Sequence, residues 1–145
     1  MSETRKNLES VFLLLLRVSL GLTMVIHGWV KIQNFEDTLT KFTNMGLPMP
    51  EISLYLAIAG EFLGGLGLIV GLLTPVAAFG VFCTMAVAVF HVHWSNGFLA
   101  KDGGFEFPFI LMMTALYFIV RGAGCLSLDA LFCKNKCKTG QSSSV

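Results

Sequence analysis

Four runs of the chain are apolar over the length of a membrane crossing, with polar residues gathered between them. They cover about 8–30, 52–73, 75–94 and 105–121. A transmembrane helix needs about 20 apolar residues. The fourth run is the shortest and needs a tilt or a locally thin bilayer. The pattern predicts an all-α fold: an integral membrane four-helix bundle of antiparallel spans. It forms a single domain over residues 1–132, followed by a basic and Ser-rich cytoplasmic tail over 133–145 that is expected to be flexible. Only Leu73, Thr74 and Pro75 separate the second and third runs. That predicts a tight hairpin with Pro75 in the first turn of the third span. Between the first two runs, Phe35, Leu39, Phe42 and Met45 recur at helical spacing, with Glu36, Asp37, Lys41 and Asn44 between them. This is a short amphipathic segment lying flat at the interface, stopped by Gly46, Pro48 and Pro50. The third link, Ser95 to Gly104, is polar and Gly-rich, with Trp94 as an interface anchor.

Composition agrees. Of 145 residues, 54% are hydrophobic and 13% charged, with a mean hydropathy of +0.73. A soluble domain carries about 25% charged residues, so this chain cannot cover a water-exposed surface. A net charge of +1 excludes a nucleic-acid binder driven by a basic surface. Arg5 and Lys6 precede the first run, which is too long for a signal-peptide core and lacks a small-x-small site after it. It is expected to stay as an anchor. Four spans put both termini on one side, with Arg5, Lys6, Arg121, Lys134, Lys136 and Lys138. The other side carries Lys31, Lys41 and Lys101. Six against three predicts cytoplasmic termini.

Glycine marks the packing faces. Gly60, Gly64, Gly67 and Gly71 fall on one face of the second span, and Gly21 and Gly28 on one face of the first. Small residues let membrane helices approach closely. No strand precedes them, so they are not a nucleotide loop.

Ionisable groups inside a bilayer are costly and need a partner, water or a function. Arg17 and Glu61 each lie about nine residues into their spans, from opposite faces. Similar depth predicts a buried ion pair between them. His27, Lys31, His91 and Glu106 gather by depth in the outer half of the bundle and are expected to line a pocket there, near Glu61. His93 lies about 200° from His91 on an ideal helix, so the two cannot ligate together. Two chemistries fit such a group. His and Glu ligate transition metals or haem iron, and they also bind and protonate a quinone headgroup. No spacing fixes two metal ligands, so no metal site is assigned, and haem or metal is the weaker reading beside quinone. A plainer alternative leaves the histidines bonded to lipid headgroups. Cys83 reads as packing. Cys133 and Cys137 stand at i, i+4, not at redox CxxC spacing. They are expected as reduced thiols beside lysines that touch anionic lipid.

Taken in order, these residues resemble the DoxX family of small bacterial membrane proteins. The matching stretches are Arg17-x-x-x-Gly21-Leu22 and His27-Gly28-x-x-Lys31, then Glu61-x-x-Gly64-Gly65-x-Gly67-Leu68-x-x-Gly71-Leu72-x-Thr74-Pro75. His91 follows, then Gly103-Gly104-Phe105-Glu106-Phe107-Pro108, then Gly122-x-Gly124-x-x-Ser127-Leu128-Asp129. The resemblance covers roughly Arg17 to Leu131. It implies a four-helix bundle in the bacterial inner membrane. It also implies a role as subunit or accessory of a membrane redox system, linked to quinone, sulfur or thiol chemistry, or oxidative stress. An enzyme of this kind would be a quinone-linked oxidoreductase subunit. The resemblance marks Arg17, His27, Lys31, Glu61, His91, Glu106, Ser127 and Asp129 as candidate polar positions. Expected partners are lipid, a soluble or membrane redox enzyme and further copies of the chain. The rival reading is a non-catalytic scaffold that docks soluble redox enzymes, for which Ser127, Asp129 and the basic tail matter more. A small transporter is a third.

Overall fold

The structure, a computed structural model, describes residues 3–132. The expectations for the tail, including Cys133 and Cys137, fall outside the described residues. Within them every regular element is a helix, and there is no strand.

Helix α1 (Glu3–Gln33) has 31 residues. At 1.5 Å per residue it is about 46 Å long, so it exceeds the hydrocarbon core and begins well before Leu8. Nothing in Glu3–Asn7 breaks a helix, so the polar leader continues into the apolar run. Helix α2 (Phe35–Asn44) is the amphipathic segment, with Glu36 and Asp37 in its first turn and Lys41 in its last, the order that suits the helix dipole. The second span begins with Pro50 in the first turn of α3 (Pro50–Ile58). It passes through a π turn (Ala59–Leu63) into α4 (Gly64–Val70). It ends at Gly71 rather than Leu73, because Gly71 turns left-handed at φ +70° and closes the helix. The third span is α5 (Thr74–Val87), continued by a second π turn (Ala88–His93) and a 3₁₀ turn (Trp94–Asn96). Helix α6 (Glu106–Arg121) is the short fourth span of 16 residues, and α7 (Leu128–Phe132) follows it.

Three of these segments are long and apolar enough to cross a membrane: Thr4–Gln33, Pro50–Val70 and Thr74–Asn96. Their outer faces carry exposed Phe12, Leu22, Ile26, Leu63 and Phe79, and Val120 on α6 is 83% exposed. So much uncovered apolar surface belongs against lipid tails. The core between them is formed by Met24, Leu68, Val81, Ala115 and Phe118.

Glycine sets the contacts, with one correction. Gly60 and Gly64 do face α5, against Gly80 and Ala77. Gly71 instead ends the helix. The α1 side is served by Gly65, which the periodicity did not single out. A Cβ at Gly65 would stand 2.7 Å from the Gly21 carbonyl oxygen, and one at Gly28 would stand 2.7 Å from the Phe62 nitrogen. No side chain fits at that approach.

Candidate functional site

The α1–span two register fixes where the charges lie. Gly28 meets Phe62 and Gly21 meets Ile69. In an antiparallel pair this sets Arg17 opposite residue 73, twelve residues from Glu61. That is about 18 Å along the axis, beyond the reach of any side chain. The expected Arg17–Glu61 pair is therefore not formed. Counting from the first apolar residue of each run misplaces Arg17, because α1 starts earlier and crosses span two at another height. Each charge has a different partner, at opposite ends of the bundle.

At the near end, where α6 finishes and the second and third spans join, Arg17 is 1% exposed. Its Nη1 donates to the Ala123 carbonyl at 2.7 Å, and Nη2 to the Leu126 carbonyl at 2.8 Å. The guanidinium lies over Gly71, where a Cβ would stand 2.5 Å from Nη1. Gly71 thus both ends a helix and leaves room for the cation. Asp129 completes the clasp. Its carboxylate accepts from the backbone nitrogens of Leu73 at 2.7 Å and Thr74 at 2.9 Å, and its own nitrogen donates to the Gly71 carbonyl at 2.8 Å. The carboxylate so satisfies the first free amides of α5 and offsets the left-handed Leu73 at φ +48°. Ser127 Oγ donates to the Gly124 carbonyl and accepts from the Ala130 nitrogen. The Ser127–Asp129 motif is thereby committed to holding the segment after α6 against the bundle. Arg121 and Glu9 add an exposed ion pair at 2.6 Å, which contributes little to stability.

At the far end Lys31 Nζ meets Glu61 Oε2 at 2.5 Å. Glu61 is 4% exposed and sits in the first π turn. Lys31 sits in the last turn of α1, where the helix dipole favours a cation. The pair forms one wall of a cavity of about 570 Å³ between the second and third spans, with Met45 of the segment after α2 bordering it. Cys83, Thr84 and His91 line it from the third span. Its remaining surface is mainly apolar, the usual make-up of a ligand cavity of this size. His91 Nε2 is 3.2 Å from the Met45 carbonyl, while His93 Nδ1 is 2.7 Å from the Gly103 carbonyl. The two rings bond to different loops, although both border the cavity. Both π turns also border it, one carrying Glu61 and the other both histidines. Such irregular turns recur at functional sites.

The expected outer pocket is thus partly assembled. Lys31 and His91 come together with Glu61. His27 and Glu106 do not line that cavity. His27 is turned about 100° from the Gly28 contact, and its ring lies 6.4 Å from Phe107 of α6. Glu106 accepts from the Ala100 nitrogen at 3.0 Å and so fixes the third link. Depth alone grouped them; helix rotation separates them. Cys83, read as packing, is an exposed free thiol in the cavity wall. Thr84 stands opposite Gly60, and its sequence signal is its spacing of seven from His91, which sets both on one helix face. Among the described residues no group of three His, Cys, Asp or Glu side chains is placed to hold a metal.

A family model described as DoxX matches residues 12–94. The chain is 32% identical over 85% of its length to a Bacillus subtilis (strain 168) protein named "Putative oxidoreductase CatD", of which it covers 88%. Two Escherichia coli (strain K12) proteins are also similar. Inner membrane protein YphA is 27% identical over 82% of this chain and 89% of its own length. Inner membrane protein YqjF is 30% identical over 89% of this chain and 98% of its own. No solved structure matches the chain significantly.

Proposed function

The chain belongs to the DoxX family of membrane proteins, and from that premise we propose that it serves a redox system of the bacterial inner membrane by holding a quinone-type carrier in its far-end cavity. The observation that carries the reading is the Lys31–Glu61 pair set in the wall of an otherwise apolar cavity of about 570 Å³. An apolar ring and tail match the walls, and the ion pair supplies polar groups for the ring oxygens. Lys31 orients a ring oxygen, and Glu61 and His91 are the groups able to take or return a proton. The quinone itself supplies the electron chemistry. The location is supported by the two Escherichia coli relatives named as inner membrane proteins. Cytoplasmic termini, with the cavity toward the outer face, are supported by the six-against-three excess of Lys and Arg. A membrane or soluble redox enzyme is the proposed partner, and self-association belongs to the same proposal. The scaffold alternative loses weight because Ser127 and Asp129 are engaged inside the fold.

The test uses the full chain purified in mild detergent. Extracted quinone is measured, and alkylation of Cys83 by N-ethylmaleimide is followed by peptide mass spectrometry. Bound quinone, slowed Cys83 alkylation, and loss of both in Lys31→Met but not in His27→Ala are expected. No quinone, together with Cys83 alkylation that added short-chain quinone does not slow, overturns the reading.

A further inference from the structure

The polar atoms of the far-end cavity are mostly hydrogen-bond acceptors. Glu61 Oε2 already receives Lys31, and Oε1 has no hydrogen bond among the described residues, although the residue is 96% buried by its 4% exposure. Thr84 gives its hydroxyl proton to the Val81 carbonyl at 2.9 Å, and Ser53 gives its proton to the Pro48 carbonyl at 2.6 Å. Both residues border the cavity, and their hydroxyls, with the proton already given, retain only acceptor capacity. The same logic fixes the histidines. A carbonyl beside His91 Nε2 and another beside His93 Nδ1 require those nitrogens to donate, so a ring carrying a single proton has its other nitrogen as an acceptor. Against these stand the spare N–H donors of Lys31 and the weak Cys83 thiol. The Lys31–Glu61 pair carries no net charge, so the complementary ligand is neutral and brings its own donors.

We infer that this cavity selects the reduced, dihydroxy form of a ring carrier over its oxidised dione. The inference rests on the proposed carrier site and adds its preference for oxidation state. A hydroxyl donates to Glu61 Oε1 while its oxygen accepts from Lys31 Nζ. A dione offers only acceptors, so it satisfies Lys31 but sets oxygen against oxygen at Glu61. One charge-assisted hydrogen bond gained or lost corresponds to about a tenfold affinity ratio or more. Tighter binding of the reduced form raises the potential of the bound couple. A tenfold ratio is about 30 mV for a two-electron couple. The site then favours keeping electrons on the carrier at the outer end of the bundle.

The experiment is calorimetric titration of the full chain in nanodiscs with a fully ring-substituted short-chain benzoquinone and, anaerobically, with its hydroquinone. The hydroquinone is expected to bind at least about tenfold tighter. Glu61→Gln replaces the carboxylate that receives the ring hydroxyl with an amide that can also donate, and is expected to narrow that ratio severalfold. Equal binding of the two forms, tighter dione binding, or an unchanged ratio in Glu61→Gln overturns the inference and leaves the carrier site standing. Binding of neither form overturns both.

Discussion

Arg17→Ala tests the near-end clasp directly. The guanidinium makes two charge-assisted hydrogen bonds, at 2.7 and 2.8 Å, to carbonyls beyond the end of α6. Bonds to charged groups contribute about 1.5–3 kcal/mol each, so removal forfeits about 3–6 kcal/mol. Relief from burying the cation offsets part of this. The expected net loss is about 3–5 kcal/mol, the range for breaking a buried charged contact. Arg17→Lys keeps the charge, but a single ammonium cannot fork to both carbonyls, so an intermediate loss is expected. Two measurements check this in detergent: the thermal midpoint, and the rate of chymotrypsin cleavage at Leu126, Leu131 and Phe132. Arg17→Ala should lower the midpoint and speed cleavage after α6. Glu61→Gln is the control, and it should leave that segment protected because Glu61 lies about 18 Å away along the bundle. Wild-type melting and protection in Arg17→Ala would refute the clasp. Release of the segment by Glu61→Gln would restore the pair expected from depth alone.

Two further outcomes follow from the helix contacts. A double-mutant cycle of Lys31→Met and Glu61→Gln, read by thermal melts, should give a coupling of about 1.5–3 kcal/mol. The matching cycle of Arg17→Met with Glu61→Gln should give nothing measurable, and a reversal of the two results would overturn the assignment of partners. Gly28→Ala places a Cβ 2.7 Å from the Phe62 nitrogen, where a rigid backbone must move. It should cost about 1–3 kcal/mol, and an unchanged midpoint and yield would show that α1 and span two are not in contact there.

The pattern of apolar runs determined the membrane class, the all-helical architecture, the hairpin at Pro75 and the amphipathic helix α2. These follow from local periodicity and from the turn chemistry of Gly and Pro, which neighbouring residues carry by themselves. Run length also showed the fourth span to be the shortest. The sequence likewise singled out residues that make specific contacts, since costly groups in an apolar run stand out individually. Arg17, Lys31, Glu61, His91 and Asp129 all proved to hold specific contacts.

Who meets whom was decided only by the tertiary structure. Partnership depends on the axial offset between helices and on their rotation, and neither is written in one helix's own periodicity. The offset is set by Gly21 and Gly28 locking onto span two, and it moves Arg17 from Glu61 to the carbonyls after α6. Rotation turns His27 toward Phe107 and leaves Lys31 to reach Glu61. The two π turns add a residue to their turns and present Glu61, His91 and His93 to one cavity. An apolar run has the same composition whether its turns hold four residues or five. The sequence therefore specified a membrane bundle with a few expensive polar residues. Packing at the glycine seams decided which of them became a clasp and which came to line a cavity.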